Sequence, residues 1–167
     1  NTHWVKTADV SMSLDGIISI NIEQRNPLLR IWKNESESMY LDYQGFFPLK
    51  EGYPVRVINV NGSLPLNTSI SFNRLKDSTA LKEVLSSNIF YKLLNLSDYI
   101  YKDEFLNALI EQIYVNTDGS ISMEPKIFNH SIYYGNFEEQ HTKFSKLKAL
   151  YLHLFAKNEI NKYSVVN

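Results

Sequence analysis

Cysteine is absent from this sequence of 167 residues. That excludes disulfides, thiolate metal ligands and thiol nucleophiles, although it does not fix the compartment. No apolar run of about 18 residues occurs, so the sequence contains no candidate membrane span. Its first residues carry no signal-peptide pattern. No basic stripe is present either. Lysine and arginine number 17 against 18 aspartates and glutamates, a net charge of −1, with both signs interspersed. A nucleic-acid partner is disfavoured on that ground.

The motifs that announce chemistry are missing as well. The sequence has no G-x-S-x-G elbow, no phosphate loop, no G-x-G-x-x-G and no H-E-x-x-H. The histidines are His3, His130, His141 and His153. No two stand one helical turn apart, and His141 and His153 are too distant along one predicted helix to share a metal. They read as surface or half-buried imidazoles. A small hydrolase would need a deep cleft that holds His130 or His141 beside a carboxylate. Glu138 and Glu139 fall in the first turn of a predicted helix, where they suit the dipole. Asp15 and Asp118 read as turn residues. No catalytic, cofactor-binding or metal-binding residue is assigned.

What the chain does have is apolar patterning. Hydrophobic residues make up 44% and aromatics 13%, enough for one domain with a sizeable core and a fragment of a second. The sequons at Asn34, Asn61, Asn67, Asn95 and Asn129 read as chance matches in an Asn- and Ser-rich sequence. The opening Asn1-Thr2-His3-Trp4 is strand-like rather than a natural start, so the sequence reads as part of something longer.

The organising stretch is Ile17 to Trp32. Ile18, Ile20 and Ile22 alternate with Ser19, Asn21 and Glu23, the pattern of a half-buried strand. Pro27 interrupts pairing, and Leu28, Leu29, Ile31 and Trp32 begin a second apolar run. A strand with Val10 and Met12 precedes Leu14-Asp15-Gly16. A two-residue Asp-Gly loop would set apolar side chains opposite polar ones. The three-residue loop instead pairs Met12 with Ile18, Val10 with Ile20 and Ala8 with Ile22, with Gly16 left-handed in a bulged turn. The same device recurs at Thr117-Asp118-Gly119, pairing Val115 with Ile121 and Ile113 with Met123.

Between these hairpins, residues 38–49 read as a strand, a turn at Gln44-Gly45 and an edge segment. Residues 55–60 read as another strand, 63–78 as an irregular loop, and 79–85 as a short helical segment. Ser86 is placed as the cap of a helix that carries Ile89, Leu93, Leu96 and Ile100. Asp103 is placed as the cap of a shorter helix with Phe105, Leu106 and Leu109. Residues 128–135 alternate as a strand, with Phe128, His130, Ile132 and Tyr134 on one face. Asn136 and Glu139 form a capping-box pattern before a helix over about 137–157. Phe144, Leu147, Tyr151 and Leu154 are its apolar stripe. Residues 163–167 begin a final strand. The order predicts an α+β fold: a mostly antiparallel β-sheet with a long C-terminal helix packed on it.

The segment W-V-K-T-A-D-V-S-M-S-L-D-G-I-I-S-I-N-I-E-Q-R-N-P-L-L-R-I-W, Trp4 to Trp32, resembles the end of the POTRA domain in the FtsQ/DivIB bacterial cell-division family. Gln24-Arg25-Asn26-Pro27 is similar to that family's E-R-x-P element, with Glu23 one place early. Asp42-Tyr43-Gln44-Gly45, within Leu41 to Leu49, is similar to its D-x-x-G strand and turn. Val57 to Gly62, Ile110 to Gly119, Gly135, the K-L-K-A-L-Y helix and Asn161 to Asn167 follow in the family's order over nearly the whole chain.

The resemblance implies a division into 1–32, the closing hairpin of a POTRA domain, and 33–167, a β domain with its last strand incomplete. It implies a non-catalytic divisome scaffold without cofactors. Such a scaffold crosses the inner membrane once and places this segment in the periplasm. Its partners are FtsB (DivIC)-type and FtsL-type proteins, bound by strand addition near the C-terminal strand, with a role in regulating septal peptidoglycan synthesis. Tyr163, Ser164, Val165 and Val166 match the start of that strand and are the partner-binding residues it implies. Glu23 and Arg25 read as a plain surface ion pair or as recruitment residues of the POTRA part. The alternative is a POTRA-type module for outer-membrane protein assembly or secretion.

Overall fold

The computed structural model describes residues 2–65, 87–157, 159 and 162–166. A single turn of 3-10 helix over Thr2–Trp4 leads into β1 (Val5–Met12), which among the described residues pairs only with β2 (Ile18–Gln24). The register is Met12 with Ile18, Val10 with Ile20 and Ala8 with Ile22, as the odd loop requires. Ser13 N–H donates to the Ile17 carbonyl at 2.9 Å and Gly16 N–H to the Ser13 carbonyl at 3.0 Å. The second hairpin repeats this turn. Val115 faces Ile121 and Ile113 faces Met123, and Asn116 N–H donates to Ser120 O across the loop. Asp118 accepts from Ser120 N–H, as expected of a turn aspartate.

The other strands form one sheet: β3 (Leu29–Trp32), β4 (Ser38–Asp42), β5 (Gly45–Pro48), β6 (Ile58–Gly62), β7 (Ile110–Val115), β8 (Ile121–Pro125), β9 (Ser131–Gly135) and β10 (Val165–Val166). Their spatial order is β10-β9-β8-β7-β6-β3-β4-β5. Pairs β3–β4, β4–β5, β7–β8 and β8–β9 are antiparallel. Pairs β3–β6, β6–β7 and β9–β10 are parallel. The sheet is thus mostly antiparallel with a parallel centre. Strand Leu29–Trp32 belongs to it by pairing.

Among the described residues three helices cover one face: α1 (Ile89–Lys102), α2 (Glu104–Leu109) and α3 (Gln140–Lys157). Alternation along the strands sends Leu29, Ile31, Leu41, Val60, Ile113 and Met123 into this layer. Leu93, Leu96 and Ile100 of α1 meet them, all fully buried. The stripe of α3 is Phe144, Leu147, Tyr151 and Leu154, as the helical spacing predicts. Burying each such side chain contributes about 1.5–3 kcal/mol, so packing rather than helix propensity holds α3 in place.

Alternation also sends Tyr40 and Phe47 to the opposite face. There they form a second, small core with Trp4. Trp4 packs edge-on against both rings, with centroids at 5.6 and 5.1 Å, and its indole N–H donates to the Pro48 carbonyl at 3.1 Å. The root of the first hairpin therefore sits across the sheet from the helices.

Several boundaries differ from the sequence reading. The strand expected over 55–60 begins at Ile58, and the turn between β4 and β5 is Tyr43-Gln44 rather than Gln44-Gly45. Asn88 caps α1, its Oδ1 accepting from Phe90 N–H at 2.9 Å. Ser86, like the segment 79–85 read as helical, lies outside the described residues. Asp103 caps α2, as expected, by accepting from Leu106 N–H at 3.1 Å. The capping box at Asn136 does not form. Glu139 adopts φ of 53° and cannot reach back. Asn136 Oδ1 instead accepts from Glu138 N–H, and α3 starts at Gln140. The strand read over 128–135 begins at Ser131, which pairs with Val165, and β8 joins it from Ile132.

The largest departure concerns Ile18, Ile20 and Ile22, expected to be half-buried. They are 62%, 61% and 64% exposed, and Val10 and Met12 opposite them are 68% and 73% exposed. The register is right, but among the described residues no second layer covers this face.

Candidate functional site

The residues that the sequence singled out for partner binding lie at the sheet's outer boundary. Tyr163 and Ser164 lead into the two-residue strand β10, which runs parallel to β9 with Val165 opposite Ser131 and Val166 opposite Ile132. The Ser131 N–H donates to the Ser164 carbonyl at 3.0 Å. Backbone groups of successive strand residues point to opposite sides. Since Ser164 points to β9, the N–H and C=O of Val165 point away from it, toward the free edge. Side chains divide the same way between the two faces. Val166 is 8% exposed and joins the main core, while Tyr163 and Val165 are 47% and 57% exposed.

Beside this edge, α3 and the last two strands leave two adjoining hollows. One of 220 Å³ lies among Tyr134, Lys143, Lys146, Leu150 and Val166. The other, of 230 Å³, lies among Leu150, Leu154, Tyr163 and Val165. Leu150 and Val166 line both, so the hollows form an apolar trough along the edge. No Asp or Glu occurs in α3. Lys143 is held at the helix start by the Asn136 carbonyl and Oδ1, at 2.8 and 2.6 Å.

The histidines do not converge. His3, His141 and His153 are exposed. His130, expected at the surface or half-buried, is 3% exposed. Its Nε2 lies 2.5 Å from Tyr151 Oη. Burial holds its pKa below the ordinary value, against a smaller upward pull from Glu124. The hydrolase reading required His130 or His141 in a cleft beside a carboxylate. His130 is instead buried against the rings of Phe128 and Tyr151, and the nearby Glu124 carboxylate accepts from Ser131 Oγ, so no open cleft holds the imidazole and a carboxylate together. Among the described residues no group of three His, Cys, Asp or Glu is placed to hold a metal, and no helix is long and apolar enough to cross a membrane.

A second constellation was missed from the sequence. Glu23 forms a surface pair, but with Lys6. Arg25 is 9% exposed and closes on Asp42, which is 7% exposed. Its Nε donates to Asp42 Oδ2 at 2.8 Å and its Nη2 to Oδ1 at 2.5 Å. Nη2 also donates to the Gly45 carbonyl at 2.7 Å and Nη1 to the His3 carbonyl at 3.3 Å. The guanidinium carbon stands 3.8 Å from the centre of the Phe47 ring. Arg25 belongs to the Gln24-Arg25-Asn26-Pro27 element, and Asp42 and Gly45 to Asp42-Tyr43-Gln44-Gly45. Two motifs read separately in the sequence are one structural joint. The signal was their co-occurrence: a lone arginine beside a proline break and an aspartate opening a tight turn.

No curated protein sequence matches the chain. The family model described as FtsQ/DivIB, C-terminal related, matches residues 26–167, from just after Arg25 through the edge strand. That span covers the entire helix-backed sheet, the trough and the Asp42 side of the joint. The chain therefore belongs to the FtsQ/DivIB C-terminal-related family and is a cell-division protein.

Proposed function

We propose that this chain is the extracytoplasmic part of a single-pass inner-membrane division scaffold. It lends the free edge of β10 to a strand from an FtsB (DivIC)-type or FtsL-type partner, and through that contact takes part in regulating septal peptidoglycan synthesis. The observation that carries the reading is the backbone of Val165, whose N–H and C=O face outward beside an apolar trough. Main-chain bonds supply the affinity in such an addition, and alternate side chains entering the trough supply selectivity. Tyr163, Ser164 and Val165 present the exposed side of the contact, and Val166 anchors it in the core.

The amphipathic hairpin fits the same reading. Its apolar face, Val10, Met12, Ile18, Ile20 and Ile22, has the chemistry of the inner face of a POTRA unit. Residues 1–32 then supply the closing hairpin of that unit and 33–167 the β domain, with β3, the last strand of the first part, paired into the sheet of the second.

Titration calorimetry with the extracytoplasmic segment of an FtsB-type protein tests this, using the present chain and one continued past Asn167. Binding that Val165→Pro removes supports strand addition, because the substitution deletes an outward N–H while leaving the bond to β9 in place. Absence of binding to both chains overturns it.

A further inference from the structure

His130 is the residue immediately before β9, and Ser131 after it ties down the edge. Ser131 N–H donates to the Ser164 carbonyl at 3.0 Å. Ser131 Oγ donates to Glu124 Oε1 on β8 at 2.7 Å. One residue earlier, His130 Nε2 meets Tyr151 Oη of α3 at 2.5 Å. Two consecutive residues thus connect the edge strand, the next strand inward and the helix that backs them both. We propose that the His130–Tyr151 pair is a proton-sensitive latch. With the imidazole neutral it keeps α3 and the start of β9 together and β10 seated, and when the imidazole takes a proton β10 loosens.

The chemistry of the pair supports one working state. Burial pushes the Tyr151 phenol up to about 12, so it keeps its proton near neutrality and can donate it to an unprotonated Nε2. An imidazolium has no lone pair to accept that bond and can only donate from Nε2 to Tyr151 Oη, which reverses the bond and turns the phenol proton out of the pair among the apolar rings of Phe105, Phe128 and Phe155. It would place a charge against Phe128, stacked at 5.7 Å, and the Tyr151 ring at 5.6 Å. The groups that face the imidazole are Tyr151 from α3, Phe128 from the preceding loop and the Glu124 carboxylate from β8. Phe105 of α2 and Phe155 of α3 close around Tyr151 without charge. Glu124 favours the protonated ring, but burial outweighs it. A histidine whose folded pKa is depressed contributes stability in full above its ordinary value of about 6.5, and loses it as pH falls through that value toward the lowered one. The latch is therefore closed at neutral pH and opens in mild acid. Its effect on a partner rests on the strand-addition reading above, whereas the latch itself needs only this chain.

Amide hydrogen exchange followed by NMR, with no partner present, tests it. The probe is the protection factor of the Ser131 N–H between about pH 7.5 and about pH 5, the range in which an imidazole titrates. Protection in the unmodified chain is expected to fall several-fold across that range. His130→Gln keeps a neutral hydrogen-bonding side chain and is expected to flatten the profile. Tyr151→Phe keeps the ring, and is expected to lower the neutral-pH protection toward the acid value even where the glutamine variant folds poorly. A flat profile in the unmodified chain overturns the latch, as does an unchanged slope in His130→Gln or an unchanged neutral value in Tyr151→Phe. Because no partner enters the measurement, failure of strand addition would appear only in the calorimetry, with the exchange profile intact.

Discussion

Arg25 and Asp42 are joined by two parallel hydrogen bonds in a buried pocket, at 2.8 and 2.5 Å. One edge of the planar guanidinium, Nε and Nη2, meets both carboxylate oxygens, a match that lysine cannot make. Gly45 and His3 carbonyls take further N–H groups, and Gln44 N–H donates to Asp42 Oδ1 at 2.7 Å. Breaking the pair from one side strands a buried charge. Arg25→Met and Asp42→Asn are each expected to cost about 3–5 kcal/mol, read from urea midpoints. The double variant should cost clearly less than the sum, and additive losses would show that the two residues act independently.

The close approach of β6 to β7 makes a second prediction. Gly62 has φ of +104°, and a Cβ there would fall 2.2 Å from the Val115 carbonyl oxygen. Gly62→Ala combines left-handed strain with a backbone clash and is expected to cost about 2–4 kcal/mol. Gly16, at +82° with nothing near its missing Cβ, should lose only about 1–2 kcal/mol as alanine. Equal losses in thermal or urea melts would refute the role assigned to Val115.

Asp103 sets an acid dependence. Lys148 Nζ donates to one carboxylate oxygen and Leu106 N–H to the other. Lys148 and then the backbone bond hold the carboxyl below its ordinary range. Its contribution is complete above about pH 3.9 and is lost as pH falls through the lowered value. Asp103→Ala is expected to cost about 1–2 kcal/mol at neutral pH. Asp103→Asn keeps a cap, should cost less, and should flatten the acid limb of stability against pH. A full alanine-sized loss in the asparagine variant would point to the ion pair instead of the cap.

The exposed hairpin face predicts an unusual tolerance. Ile20 is 61% exposed and Ile113 is fully buried. Ile20→Thr is expected to change stability by no more than about 0.5 kcal/mol, and to reduce the binding of dyes that sense apolar surface. Ile113→Ala should cost about 2–5 kcal/mol. An Ile20 cost approaching that of Ile113 would mean that the hairpin face is covered in solution.

What was legible in the sequence follows from the range of the forces involved. Hairpin register is set within a dozen residues by loop chemistry and alternation, so Met12–Ile18 and Val115–Ile121 could be read directly. The α3 stripe is a one-helix pattern and was equally plain. The parallel pairings β3–β6 and β6–β7 join segments that no local rule connects. The Arg25–Asp42 joint needs the fold before its residues meet. The capping pattern at Asn136 failed because the left-handed turn at Glu139 took the chain out of the geometry a capping box requires. The edge residues Tyr163 to Val166 were named through family resemblance. Their alternation alone would not have separated an edge from an interior strand.

The joint and the free edge occupy opposite ends of the sheet, β5 at one side and β10 at the other. Seven steps between neighbouring strands at about 4.8 Å put β5 and β10 roughly 34 Å apart, measured along the twisted sheet. The sheet thus works as a fixed ruler. On the proposed strand addition, the hairpin attached through Arg25 and a partner strand at Val165 would be held at a set reach by a stiff, hydrogen-bonded span, with no need for the interior to rearrange.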